Sequence, residues 1–227
     1  MSNGNGSVME KRLCLLFCML GLLTMLGCDD KQPVAEVIGK DGTKYKRWLI
    51  DKWRHPSCPD VDSARVDVAL GDATRRWLKV AAVPGDGDVA VHVLFVGTDG
   101  ISTINGTRYS AWGFNVIQRE EDLRELLDAP SNPDGVCGWV RIVEDVLING
   151  HRYAAAKPNG QSVVVPYLWA YQGTIYAHEF GHNVGLADRP GGVDHLINIM
   201  QHDHPAGVDR QLASASEREA MEEWAGH

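Results

Sequence analysis

The sequence predicts an α+β domain, and three observations carry that expectation. Stretches rich in β-branched and aromatic residues recur through its first two thirds, separated by Pro, Gly, Asn and Asp clusters. Between them, Asp60 to Val80 spaces its apolar residues at helical rather than strand period. Two more helical stretches close the chain, near Tyr171 to Val184 and Ala215 to Trp224. A chain of 227 residues can bury one sizeable core, so one domain is the natural count.

The elements follow in order. Lys44 to Trp53 combines aromatic and β-branched side chains and suits a first strand. Val61, Ala64, Val68, Trp77 and Leu78 mark the apolar side of the long helix, with Gly71 weakening its middle. Pro84-Gly85-Asp86-Gly87-Asp88 is a turn cluster. Val89 to Val96 is a near-continuous apolar run, the mark of a strand covered on both faces. Tyr109 to Gln118 predicts a further strand and Glu120 to Leu127 a short acidic helix. Pro130 to Gly138 is a loop presenting Cys137. Trp139 to Ile148 and His151 to Ala156 flank Asn149-Gly150, which predicts a hairpin with a two-residue turn. Val163 to Val165 is a last short strand before the penultimate helix. The chain shows no internal repeat and no low-complexity tract.

The beginning of the chain is an address. Lys11-Arg12 precedes an apolar run, Leu13 to Leu26, that carries no charge. That run is too short for a typical membrane span and has the basic flank of a secretory signal. It ends in Leu26-Gly27-Cys28, which resembles a bacterial lipobox. The resemblance implies a lipoprotein signal peptide over residues 1–27 and lipidation of Cys28. Asp29 to about Gly42 is polar and lacks periodicity, so a tether is expected over 28–42, ahead of a folded domain over 43–227. The expected place is the bacterial cell envelope, outside the cytoplasm, on the periplasmic face of the inner membrane or on the outer membrane. Asp29-Asp30 resembles an inner-membrane retention signal.

Residues 1–27 contain Glu10, Lys11 and Arg12; without them 20 basic and 29 acidic residues remain, a formal charge of −9. An acidic surface with no basic stripe excludes nucleic acid as the natural partner. The chain is expected to act as a monomer. Cys14, Cys18 and Cys28 belong to the leader, which leaves Cys58 and Cys137. In an oxidising compartment such a pair invites a disulfide, which would stabilise the fold by up to ~4–5 kcal/mol. Two unrelated buried thiols are the alternative.

Function is concentrated in His178-Glu179-Phe180-Gly181-His182-Asn183-Val184-Gly185-Leu186-Ala187-Asp188. Two histidines four apart on a helix project from one face, about 40° from eclipsed, so both imidazoles can reach one metal ion. Glu179, one residue after the first, can face a metal-activated water rather than the metal. Gly185 permits a positive-φ exit from the helix that can swing Asp188 back as a third ligand. Three protein ligands with one open position are the pattern of a catalytic zinc, and the arrangement looks hydrolytic. His195, His202 and His204 are the rival third ligands. His92, inside an apolar strand, and His151, after the hairpin turn, are expected in the core and at the surface respectively. Trp169, Tyr171 and Tyr176 flank the motif helix and are expected to pack.

With Asn198-Ile199-Met200 following, the motif resembles the metzincin clan of zinc metallopeptidases, marked by HExxHxxGxx and a downstream methionine turn. Most metzincins have His as third ligand; Asp188 here resembles the snapalysin-type variant. The resemblance covers the end of the chain, from the strand before the motif helix to the helix after the methionine. It implies a mixed twisted sheet, a long N-terminal helix, an active-site helix and a C-terminal helix after a Met-turn at Met200. It also implies Zn2+ held by His178, His182 and Asp188, and Glu179 as general base. The expected activity is hydrolysis of peptide or protein substrates by a metalloendopeptidase. Extended substrate is expected to add to an exposed strand edge, with Val140 to Leu147 one candidate. Two other classes stay open: a zinc hydrolase acting on non-protein amides or esters, and a non-catalytic, metal-stabilised envelope lipoprotein.

Overall fold

A single long strand organises the molecule. The computed structural model describes residues 36–38, 44–79, 92–103, 115–129, 136–189, 198–201 and 214–226. All of these fall within one compact unit, Val34–His227. The expected signal peptide, Cys28 and most of the tether lie outside the described residues. Among the described residues no helix is long and apolar enough to cross a membrane.

Strand β2 (Lys44–Arg54) is the hub of a mixed sheet. It pairs antiparallel with β1 (Glu36–Ile38), and parallel with β3 (Val93–Gly97), β4 (Ser102–Thr103) and β6 (Gly138–Val143). β6 pairs parallel with β10 (Ser162–Pro166), which pairs antiparallel with β9 (Ala155–Ala156). β1 falls within the stretch expected to be an aperiodic tether; its β-branched Val37 and Ile38 instead continue the sheet.

Strand β3, expected to be covered on both faces, buries Val93 and Phe95 but leaves Leu94 and Val96 half-buried, and residues 89–91 lie outside the described residues. At β10 the sheet is covered on both faces. Val163 and Val165 belong to the main core, whereas Val164 between them belongs to a second cluster with Ile117, Leu126, Val143, Val146 and Ile148. Successive side chains point to opposite faces, so a strand with two dry faces must be apolar throughout. The second cluster is built by α2 (Glu120–Asp128) and a small sheet of β5 (Val116–Ile117), β7 (Asp145–Ile148) and β8 (His151–Arg152). The Asn149-Gly150 turn has φ of 53° and 80°, as a type I′ hairpin needs, and joins β7 to β8. The run expected as one hairpin strand bends at Glu144, where β6 leaves off and β7 turns to β5.

On the other face lie α1 (Ser63–Lys79) and α3 (Gly173–Asn183), the latter carrying the histidine motif. Asp62 caps α1 by accepting from the backbone N–H groups of Ala64 and Arg65. The Trp77 indole N–H donates to Ala177 O at 3.1 Å and ties α1 to α3. Phe180 stacks on Phe95 and on Trp48, with centroids 4.4 and 5.7 Å apart. Trp48 also meets Trp224 of α4 (Ala215–Gly226) at 4.0 Å. One aromatic cluster therefore fixes both C-terminal helices against β2 and β3.

The expected disulfide is not formed: Cys58 and Cys137 are free thiols. The Cys58 thiol lies against Ile142 O, while the Cys137 backbone N–H donates to Leu49 O at the start of β6. Five residues of strand separate those points, roughly 16 Å at about 3.3 Å per residue, far beyond the reach of a disulfide. Val140 to Leu147 is likewise no open edge over its first half, because β6 has β2 on one side and β10 on the other.

Candidate metal centre

Helix α3 is buried on nearly every side, which suits its composition of Ile175, Tyr176, Ala177 and Phe180 around the histidines. His178 and Glu179 are each 4% exposed. The helix ends in a reversal in which Gly185 N–H donates to His182 O at 2.9 Å and Leu186 N–H to Gly181 O at 3.0 Å. Gly185 has φ of 90°, and a Cβ there would lie 2.5 Å from Asn159 Oδ1, so both conformation and space demand glycine. The reversal brings Asp188 back over the helix.

Three donor atoms meet there. His178 Nε2 and His182 Nε2 are 3.2 Å apart, and Asp188 Oδ1 lies 3.2 and 3.3 Å from them. Each imidazole is oriented from its far side: His178 Nδ1 is 2.8 Å from Ile199 O and His182 Nδ1 is 2.7 Å from Leu186 O. A carbonyl only accepts, so each Nδ1 carries a proton and each Nε2 faces inward, where it can share a proton with Asp188 or give its lone pair to a cation. Two nitrogen lone pairs and a carboxylate oxygen brought this close repel one another unless a cation joins them. A tetrahedral zinc with bonds of about 2.0–2.1 Å spaces its donors about 3.3–3.4 Å apart, so the donor set fits that ion.

The electrostatics agree with the geometry. Hydrogen bonds from His178 and His182 hold the Asp188 carboxyl far below the usual carboxylate range. Burial lowers the affinity of His182 for a proton, but the bond to Asp188 and the charge of Glu179 outweigh it and raise its pKa to about 9. The pocket thus calls for positive charge, which one proton supplies to one contact and one cation to all three.

Met200 is fully buried under this centre. A Cβ placed on Gly181 would fall 2.2 Å from Met200 Sδ, so helix and methionine turn touch through the missing side chain. Asn198 shapes that turn by accepting the Met200 N–H at 2.7 Å.

A cleft of about 270 Å³ opens on His178, Glu179, His182 and Asp188 and is also lined by Arg152 to Ala156, Pro158, Trp169 and Ile175. The structure therefore brings together all four motif residues singled out from sequence, with Met200 beneath them. Trp169, expected to pack, also faces the cleft. Tyr176 is wholly buried with its hydroxyl donating to Ala170 O, and Tyr171 accepts the Asp62 N–H and lies under the Arg65 guanidinium. His92 is half-buried against Tyr45 and His151 is exposed, both apart from the donor cluster. The rivals His195, His202 and His204 lie outside the described residues.

Sequence reasoning missed Glu217, whose carboxylate accepts from Arg189, Asn198 and the Ser214 backbone around the methionine turn. Its signal was present as Ser214-x-x-Glu217, a capping-box spacing at the start of α4. The edge strand beside the cleft was also missed: it is β9, which among the described residues pairs only with β10.

No protein-family model matches the chain, and no curated protein does. Among solved structures it is similar to archaemetzincin from Methanopyrus kandleri, with a TM-score of 0.49 and 14% identity over 80% of this chain and 97% of that one. It is also similar to metalloproteinase-II from Bacteroides fragilis, with a TM-score of 0.46 and 14% identity over 78% of this chain and 52% of that one. What the centre can do chemically follows from its own atoms.

Proposed function

We infer that the chain is a zinc-dependent metalloendopeptidase of metzincin type, with the aspartate third ligand of the snapalysin-like variant. The observation that carries this is the meeting of His178 Nε2, His182 Nε2 and Asp188 Oδ1 at 3.2–3.3 Å with both Nδ1 atoms tied to backbone carbonyls. These three residues would hold the ion. When bound, a zinc ion supplies Lewis-acid polarisation of a carbonyl and activation of water.

Glu179 does the proton chemistry. It lies in the same cleft, next along the helix from His178. As general base it takes the proton from the attacking water, and as general acid it passes that proton to the leaving amine. Met200 packs beneath the ligand helix as a soft, close-fitting floor. An extended peptide adds to the outer edge of β9, whose residues Ala155 and Ala156 line the cleft and leave room for backbone approach. A cleft bordered by a strand edge suits internal stretches of polypeptide, which is why we favour endopeptidase activity over action on small amides. The basic flank, apolar run and Leu26-Gly27-Cys28 of the leader support a place in the cell envelope, with a lipid anchor at Cys28.

Glu179→Gln tests the assignment. The variant should retain zinc, since no ligand is lost, and lose cleavage of casein by at least about a hundredfold. Cleavage at the native rate would remove Glu179 from the mechanism.

A further inference from the structure

The carboxylate of Glu217 gathers donors from three separate stretches of chain. Arg189 Nε donates to Oε1, while Asn198 Nδ2 and the Ser214 backbone N–H donate to Oε2 at 3.1 and 2.6 Å. Glu217 is 7% exposed and Asn198 6%, so the carboxylate itself is largely shielded from water, and bonds to an ionised acceptor are the strong kind.

Two of those stretches shape the donor cluster. Arg189 directly follows Asp188, and its backbone N–H donates to Met200 O at 2.7 Å. Asn198 directly precedes Ile199, whose carbonyl orients the His178 ring. We propose that Glu217 is a positioning residue of the metal centre: from the last helix it clamps together the segment bearing Asp188 and the segment bearing the carbonyl that aligns His178. This role rests on the metal-centre reading above. Glu217 touches neither substrate nor cation.

A helix cap alone would not need this arrangement. The reciprocal bonds between Ser214 and Glu217, with Glu217 N–H reaching Ser214 Oγ at 3.3 Å, complete a capping box by themselves. Arg189 and Asn198 are additional, come from outside the helix, and converge on the same carboxylate. An amide at this position would turn an NH2 group towards one of its three donors.

The experiment measures zinc affinity of the full chain by competition with a chromophoric chelator at pH 7, together with the visible absorption of the cobalt-substituted protein. Glu217→Gln should weaken zinc binding by about 10- to 100-fold and shift the cobalt bands, as expected when a partner that orients ligands is lost. Leu126→Ala, in the second core cluster, should lower thermal stability yet leave zinc affinity within about twofold. If Glu217→Gln does not fold, Arg189→Gln and Asn198→Ser each remove one arm and should each weaken binding at least about threefold. Native affinity with an unchanged cobalt spectrum in Glu217→Gln overturns the role, as does native affinity in both single-arm variants. A native chain that binds no zinc overturns the metal centre and the clamp together, so the two failures read differently.

Discussion

Met200 Sδ occupies the space into which a side chain at Gly181 would grow, 2.2 Å from where that Cβ would sit. The ligand-bearing helix and the turn beneath it are therefore in contact across a position that only glycine can fill, although alanine is the better helix former.

Gly181→Ala is accordingly expected to destabilise. Helix propensity alone would favour alanine by up to about 1 kcal/mol. Overpacking against a fully buried methionine costs about 1–3 kcal/mol and wins. Thermal unfolding should show a lower midpoint for Gly181→Ala, and that drop should shrink when the same change is made in a Met200→Ala background. A rise in midpoint for the single variant would mean that the contact is looser than described.

Asp188→Ala should lose stoichiometric zinc on dialysis, whereas Asp188→His should keep it, because imidazole replaces one donor by another. Elemental analysis of the dialysed proteins decides. Full zinc retention by the alanine variant would move the third ligand to His195 or His202.

Acid should weaken the Glu217 clamp. Burial pushes its carboxyl up, but hydrogen bonds from Arg189, Ser214 and Asn198 together hold it below its ordinary value. A depressed pKa adds stability that is complete above the unfolded value of about 4.3 and fades as pH falls through the folded value. The native chain should therefore exceed Glu217→Gln by about 1–3 kcal/mol near neutrality, and the gap should begin to narrow below about pH 4.3 and close once pH has fallen past the folded value. Urea unfolding across that range gives the comparison; a gap independent of pH would contradict an ionised partner.

The thiols should react unequally. Burial pushes the Cys58 thiol up to about 11, and it also raises that of Cys137. Alkylation at pH 8 without reductant, read by peptide mapping, should leave Cys58 unmodified in the folded chain and label both residues after unfolding. A peptide linking the two cysteines would contradict their separation along β6.

Much of the fold was legible because its signals are local. The β2 strand, α1, the Asn149-Gly150 turn and α3 each follow from period or turn chemistry within one short window. The donor set was legible for the same reason: His178, His182 and Asp188 are linked by a helical turn and one glycine reversal. What escaped depends on contacts between distant windows. Lys52 is fully buried, yet nothing around it in sequence announces Ser63 and Asp67, its partners at 2.7 and 2.6 Å. The separation of Cys58 from Cys137 is set by the register of β2 on β6, which no composition encodes. β9 is only two residues long, too short for any alternation to show.

Glu217 also has a place in time. It comes well after His178 in the chain, on the last helix of the described residues, where Trp224 closes the aromatic cluster on Trp48. Ribosomes release the ligands first and their brace last, so a nascent polypeptide carries both imidazoles before the carboxylate that steadies their surroundings. Translation interrupted ahead of Ser214 leaves both histidines without that support.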